Sequence, residues 1–253
     1  MSSGIIAFLI LGGVVCLVLI AYIAQSIEAA KQERKRQVLA LQERARHCWN
    51  LVTELPSTYL PTDIREFLLT YLTSRYNEIL AIEPNHQGAK TQLASITELQ
   101  NQPYSSKLDT PEPIFNDPVT AKNTAALVKS LVNFFVAIHK DGSLEKNTAL
   151  RFINQGKALY SIINVDLNQI TARQVEDNPR LALAHYQQCR TKLDPFANKN
   201  QMLERTGFID GRIKALKAKV AEEEKKTQQE QQEEEQKQQD EWNEFSDDGG
   251  WKI

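Results

Sequence analysis

The stretch that decides the fold is residues 5–24, IIAFLILGGVVCLVLIAYIA, twenty consecutive positions without a charged side chain. At about 1.5 Å per residue, a helix of this length spans the roughly 30 Å hydrocarbon core of a bilayer. A lone segment in lipid must satisfy its own backbone hydrogen bonds, and only a helix does so. The sequence therefore predicts one transmembrane helix over residues 5–24, with residues 1–4 outside the cytoplasm.

The apolar segment lacks the features of a removable leader. A cleaved export signal needs a basic start and small residues at positions −3 and −1 of the cut. Residues 1–4 carry no base, and a cut after Ala24 would put Tyr22 at −3. A lipoprotein needs a small residue before the acylated cysteine, but Val15 precedes Cys16. We therefore expect the segment to be retained as an anchor.

Basic residues flank the anchor on its C-terminal side only. Lysine and arginine close to a spanning helix remain on the cytoplasmic side. We therefore expect a single-pass protein of a bacterial inner membrane, with its N-terminus outside and its body in the cytoplasm. Cations so close to the bilayer also attract anionic headgroups. The predicted membrane-surface residues are Lys31, Arg34, Lys35 and Arg36.

Residues 25–55 are predicted to continue as a juxtamembrane helical stalk. Apolar residues recur there at steps of three and four, as in the seam of a coiled coil. Pro56 and Pro61 then end the pattern, because proline disrupts a helix interior. The seam consists of Val38, Leu41, Ala45, Cys48, Val52 and Leu55.

A helical hairpin is predicted over residues 62–100. Asp63, with Glu66 three residues later, is typical of a capping box at a helix start. Apolar residues then mark one wide face as far as Pro84, and a second apolar series follows it. These features predict two helices joined by a short turn.

The turn of this hairpin resembles that between tetratricopeptide repeats. In residues 79–94, ILAIEPNHQGAKTQLA, a helix ends in an acidic residue and a proline before the next helix begins. Tyr76, Leu93 and Ala94 fall where that family favours a large apolar, a leucine-like and a small residue. Over about residues 64–99, the resemblance implies antiparallel helix pairs in a repeat-like arrangement.

Residues 101–118 hold four of the nine prolines and no periodicity, so they are predicted to be a linker or long surface loop.

A helical bundle is predicted over residues 119–221. Residues 119–138 are apolar on more than one face, as expected of a central helix. Asn178 followed by Pro179 is typical of an N-cap and first helical position.

Residues 222–253 form a Gln/Glu-rich tail with twelve acidic residues against four lysines, a net charge of −8. Without an apolar face, it is predicted to be a solvated extension or disordered. Large aromatic residues near its end are typical anchors for a pocket on another protein. The alternative is that they fold back onto the bundle. The predicted partner-binding residues are Trp242, Phe245, Trp251 and Ile253.

No catalytic, cofactor-binding or metal-binding residues are predicted. His185 and Cys189 could present two metal ligands on one helical face, but stable zinc sites need more ligands and no second pair lies alongside. A basic stripe on the last helix suggests nucleic acid, yet the sequence pI is about 6.1 and the acidic tail would compete for it. The stripe comprises Lys199, Arg205, Arg212, Lys214, Lys217 and Lys219.

These observations favour a non-enzymatic, membrane-anchored helical adaptor that binds partner proteins. Two alternatives stay open. A membrane-tethered nucleic-acid-binding or regulatory factor would use the basic stripe. A periplasmic chaperone-like module would require the reversed orientation, and a disulfide between Cys48 and Cys189 would support it. No small-molecule substrate is indicated.

Overall fold

The computed structural model describes residues 3–197 and 202–248, with side chains described at residue 19 and over residues 22–196 and 202–240. Within these ranges the chain forms seven α-helices and no strand, so the predicted all-α class is confirmed. The helices are α1 Ser3–Glu54, α2 Thr62–Ile82, α3 Gln87–Asn101, α4 Pro118–Lys140, α5 Lys146–Gln174, α6 Pro179–Ala197 and α7 Leu203–Asp248, and a 3-10 turn at Ser57–Tyr59 follows α1.

The predicted anchor and the predicted stalk belong to one unbroken helix, α1. Every side chain from residue 22 to residue 37 is exposed, and Val38 is the first buried side chain described. Among the helices whose side chains are described, none is long and apolar enough to cross a membrane. Most of residues 5–24 lies outside those described side chains.

The chain divides into two compact units, Met1–Ser106 and Lys107–Ile253. In the first unit α1 packs against α2, and α2 packs against α3. The second half of the predicted stalk therefore forms part of a core. Its seam faces α2 because residues three and four apart share one side of a helix. The buried residues of this core include Ala45, Cys48, Leu51, Leu55, Ile64, Leu68, Leu72 and Ile79.

The N-terminal caps of α2 and α3 differ from the predicted capping box. Pro61, not Asp63, is the N-cap residue of α2, and Asp63 lies in the first turn. A carboxylate there still stabilises the helix, since it accepts the Ile64 N–H at 3.0 Å. At the start of α3, His86 is the N-cap residue, and its Nδ1 accepts the Ala89 N–H at 3.0 Å.

In the second unit each helix packs against the next one along the chain, α4 on α5, α5 on α6, and α6 on α7. Phe135 and Phe152 lie at the first of these contacts, with ring centroids 4.9 Å apart. Gly156 permits the close approach, because a Cβ at this position would lie 2.5 Å from Val132 Cγ2. α6 begins as predicted, with the Asn178 side chain accepting the Leu181 N–H at 3.1 Å.

The described part of the acidic tail is a solvated helical extension, which is one of the two predicted alternatives, and not a disordered segment. α7 continues from the second unit through Asp248 without a break. Every side chain from residue 221 to residue 240 is exposed, so packing does not stabilise this part. Glutamate, glutamine and lysine favour the helix intrinsically, and pairs such as Glu222 with Lys226, 2.9 Å apart, support it.

Candidate interaction surfaces

The predicted membrane-surface residues lie on an exposed part of α1. Lys31, Arg34, Lys35 and Arg36 are all exposed, and they precede Val38, where packing against the first unit begins. Residues three and four apart share one face of a helix, so Lys31, Arg34 and Lys35 lie on one side of α1, and Arg36 projects about 100° from Lys35. The four cations stand between residues 5–24 and Val38, the first buried side chain described in α1.

Two of the four predicted partner-binding residues lie at the end of the described chain. Trp242 and Phe245 belong to α7, but their side chains are outside the described residues. Trp251 and Ile253 lie outside the described residues altogether. The backbone of α7 therefore carries the first two aromatics on a helix.

The most deeply buried polar site joins α5 to the start of α7. The side chains of Arg205 and Asp166 have no exposed surface, and Arg205 Nη1 lies 2.6 Å from Asp166 Oδ1. Arg205 also donates to three oxygens of Thr110 and Glu112 at 2.8–3.2 Å. Asp166 Oδ2 accepts the Ile114 N–H at 3.2 Å. Buried charges are retained only when paired and hydrogen-bonded, and this pair meets that condition.

The predicted linker is attached at both ends to the units that it joins. Asp109 accepts the backbone N–H groups of Glu204 and Arg205 at 3.1 Å and so caps α7. In the first unit Arg65 lies 4.2 Å from the Tyr104 ring centroid, and the Tyr104 hydroxyl donates to the Ser57 carbonyl at 2.9 Å. Much of residues 101–118 is therefore part of folded structure, which single-sequence reasoning missed because its partners are distant in sequence.

Part of the basic stripe predicted on the last helix forms ion pairs within the fold. Arg205 is buried in its ion pair with Asp166, and Arg212 is paired with Glu176. Lys199 lies outside the described residues. The remaining cations, Lys214, Lys217 and Lys219, are exposed. Two of the six predicted contacts for nucleic acid are thus used within the fold.

His185 and Cys189 are both on α6, but they do not gather a metal-binding set. Among the described residues, no group of three or more His, Cys, Asp or Glu side chains is placed to hold a metal ion. The Cys189 thiol is buried and donates to the Val165 carbonyl at 3.5 Å. Burial raises the pKa of Cys189 to about 12, so the thiol stays neutral.

Cys48 has an equivalent environment in the first unit. Its thiol is buried and donates to the Leu68 carbonyl at 3.6 Å, and burial raises its pKa well above the ordinary value. Cys48 and Cys189 are both free and lie in the cores of different units. A disulfide between them would require each thiol to leave its core.

The surface of α4 and α5 is strongly basic. All the lysines and arginines of these two helices are exposed, and their one acidic residue, Asp166, is buried. The acidic residues Asp117 and Glu145 immediately precede α4 and α5, where they occupy the N-cap positions. The exposed cations are Lys122, Lys129, Lys140, Lys146, Arg151, Lys157 and Arg173.

An open groove of about 330 Å³ lies between α4 and α5 within this basic surface. Lys122 and Lys129 lie at its edge on α4, and Tyr160, which is 44% exposed, lies at its edge on α5. Neither lysine forms an ion pair within the described part of the chain. Small and apolar side chains line the rest of the groove, including Ala121, Ala125, Ala126, Ile163 and Leu167.

Sequence reasoning missed this groove, although one signal was present. Over residues 118–174 the charges of the helical stretches are almost entirely positive. That imbalance marks a basic surface, but the register of α4 against α5 decides which side chains share the groove. The chain matches no protein-family model, no curated protein and no solved structure.

Proposed function

We propose that this chain is a membrane-anchored helical adaptor, which holds two helical units at the cytoplasmic face of a bacterial inner membrane and binds partner proteins through its acidic-aromatic tail. One observation carries the proposal. α1 runs without a break from the apolar residues 5–24 into the core of the first unit. A continuous helix couples the anchor rigidly to the folded body, so the bilayer restricts the body to a surface.

The anchor is supported by the sequence of its segment. Residues 5–24 contain no charge, and the first cations follow within fifteen residues on one side only. That asymmetry favours a cytoplasmic body. The neutral, buried thiols of Cys48 and Cys189 are in keeping with a reducing compartment.

The adaptor role is supported by how the polar groups are used. The described charged groups that are buried, such as Arg205 and Asp166, bind the chain to itself and are not exposed to a ligand. In contrast, α7 extends as an exposed helix well past the last buried residue, Leu216, and carries aromatic residues at its end. An exposed helix with aromatic residues suits recognition by a groove on a partner.

Membrane attachment is tested by fractionation and extraction of the full chain. We expect the protein in the membrane fraction and resistant to alkaline carbonate, and we expect Leu11→Arg/Val15→Arg to release it. Leu11→Ala/Val15→Ala is the matched control, because it retains an uncharged segment. A full chain that stays in the supernatant would refute the anchor.

Orientation and partner binding need separate measurements. Protease added to sealed inner-membrane vesicles with the cytoplasmic face inside should leave the body protected. Crosslinking from membranes should recover specific proteins with the full chain but not with a version ending at Val220. Recovery of the same proteins by both versions would show that the helical units, not the tail, bind the partner.

A further inference from the structure

We propose that the groove between α4 and α5 binds the acidic-aromatic end of α7, residues 240–248, from a second copy of this chain. The inference rests on the proposed function, since it names one partner of the tail that the adaptor uses. It follows from four features of the described chain: charge, lining, spacing and reach.

The charges of the two surfaces are complementary. Residues 240–248, DEWNEFSDD, contain five acids and no base. Lys122 and Lys129 border the groove, and no exposed acid lies on α4 or α5 to compete for them. Opposite potentials of this kind steer association and reject like-charged partners. The tail is thus the most suitable acidic segment that the chain itself contains.

The lining of the groove suits aromatic side chains. Alanines at 121, 125 and 126 leave space beside α4, and Tyr160, Ile163 and Leu167 provide apolar surface on α5. The volume of about 330 Å³ lies at the low end of the range for ligand pockets. Aromatic side chains bury roughly 150–250 Å² each and dominate binding at such contacts. Trp242 and Phe245 are the candidates within residues 240–248.

The spacing of the acidic residues in the tail matches the spacing of the lysines at the groove. Lys122 and Lys129 are seven residues apart, and so are Glu241 and Asp248. In a helix seven residues make nearly two turns, so both members of each pair share a face at a separation of about 10.5 Å. Trp242 and Phe245 fall between the two acids, as Ala125 and Ala126 fall between the two lysines. One helix laid along the groove can therefore make both ion pairs and the apolar contact.

The occupant comes from another molecule because α7 is too extended to reach back. Its last buried residue is Leu216, and every described side chain from residue 221 to residue 240 is exposed. From Leu216 to Trp242 the helix rises about 39 Å. Because α7 is one continuous helix through Asp248, the chain does not turn back between Leu216 and Trp242. A second copy brings the same segment without breaking the helix.

A contact made by nine residues is small, so we expect weak, salt-dependent association in solution. Interfaces below about 1,200 Å² are typical of transient encounters. Attachment of both copies to one bilayer raises their effective concentration and makes such a contact effective. The predicted outcome is a head-to-tail contact between neighbouring copies on the membrane.

The test is trans-complementation between two full-length variants, purified in detergent and compared by sedimentation equilibrium. Lys122→Glu/Lys129→Glu alters the groove and keeps the tail, while Trp242→Ala/Phe245→Ala alters the tail and keeps the groove. We expect the unaltered chain to self-associate and each variant alone to associate at least about tenfold more weakly. An equimolar mixture should form a one-to-one complex, because one variant supplies the groove and the other supplies the tail.

A control variant separates this site from general charge effects. Lys140→Glu/Lys146→Glu makes the same charge change at the far end of the same helix pair, outside the groove, and should associate like the unaltered chain. Unchanged circular dichroism shows that each variant is folded. A mixture no stronger than either variant alone, or an unaltered chain that stays monomeric at about 100 μM, would overturn the proposal. These measurements are made in detergent and do not depend on membrane attachment or on capture of other proteins. Failure of the self-association proposal is therefore distinguishable from failure of the proposed function.

Discussion

Arg205 and Asp166 form an ion pair at 2.6 Å with no exposed side-chain surface on either residue, although 39 residues separate them. The pair links the C-terminal half of α5 to the first turn of α7. Because Arg205 also donates to the Thr110 carbonyl, the same guanidinium holds the segment at the start of the second unit. One side chain therefore joins two helices and a loop.

Arg205→Ala should destabilise the second unit by about 3–5 kcal/mol, because it leaves the Asp166 carboxylate buried without its cation. The free energy of unfolding is measured by urea titration in detergent, followed by helical circular dichroism. Trypsin should also cleave after Lys107 faster in the variant, since the adjoining loop loses its hydrogen bonds. Arg205→Met/Asp166→Leu should be less destabilised than Arg205→Ala, because the double substitution leaves no charge uncompensated.

The matched control for that prediction is Arg190→Ala. Arg190 Nε lies 2.9 Å from Asp210 Oδ1, but both side chains are partly exposed. Exposed pairs contribute about 0–1 kcal/mol, so this loss should be small. Equal losses for Arg190→Ala and Arg205→Ala would show that burial of the pair has no energetic role.

Gly156→Ala should destabilise the contact between α4 and α5. The added Cβ would lie 2.5 Å from Val132 Cγ2, so one helix must shift or the valine must change rotamer. Overpacking of this kind costs about 1–3 kcal/mol. Adding Val132→Ala should recover part of the loss by removing the obstructing methyl groups. The two variants are compared by thermal and urea unfolding.

Gly207→Ala should stabilise the protein, in contrast to the same substitution at Gly156. Gly207 is an exposed position in α7, and a Cβ there would meet nothing within 4 Å. Alanine should stabilise the helix by about 0.4–1 kcal/mol, because it restricts the unfolded chain without strain. Stabilisation by both substitutions would contradict the close packing at Gly156.

Local features of the sequence predicted local structure well. The start of α6 follows from Asn178 and Pro179 because both act on their own helix. The seam ending at Leu55 follows from periodicity, since one face of α1 must be buried. The helicity of the described acidic tail follows from the intrinsic helix propensity of glutamate, glutamine and lysine, although this segment has no apolar face to bury.

Long-range pairing could not be predicted in the same way. Asp166 stands between Val165 and Leu167 with no local mark of burial, and Arg205 resembled one more member of a basic stripe. Only the packing of α5 against the start of α7 brings the two charges together. The groove has the same origin, because the register that Gly156 allows against Val132 decides where Lys122 and Tyr160 lie.

Replacement of His86 should weaken the first unit by loss of a helix cap. Its Nδ1 accepts the Ala89 N–H at 3.0 Å, and its Nε2 lies 2.7 Å from Gln42 Nε2 on α1. Because Nδ1 accepts a hydrogen bond, the ring proton lies on Nε2, and the Gln42 side-chain amide accepts from it when rotated to present its oxygen. His86→Ala should cost about 0.5–2 kcal/mol, whereas His86→Asn should retain the cap and lose only the contact with Gln42. Equal stability of the alanine and asparagine variants would exclude the capping role.

The buried thiols should resist modification in the native protein and react once it unfolds. The measurement uses a Cys16→Ala background at pH 8, so that only Cys48 and Cys189 can react with a thiol reagent. Burial raises both pKa values, that of Cys189 to about 12, and therefore keeps both thiols neutral and inaccessible. We expect labelling only when urea exposes the cores, and rapid labelling of the folded protein would contradict their burial.

The same shifts set how stability depends on alkaline pH. A folded-state pKa raised above the unfolded value means that the native state holds its proton after the unfolded state has lost it. The stability contributed by a neutral Cys189 is therefore complete below about pH 9 and declines as the pH rises toward 12. Cys189→Ala removes this group, so the alkaline decline should be shallower in that variant than in the unaltered chain. Identical slopes would show that the thiol does not contribute, even though the substitution itself lowers stability at every pH by leaving a cavity.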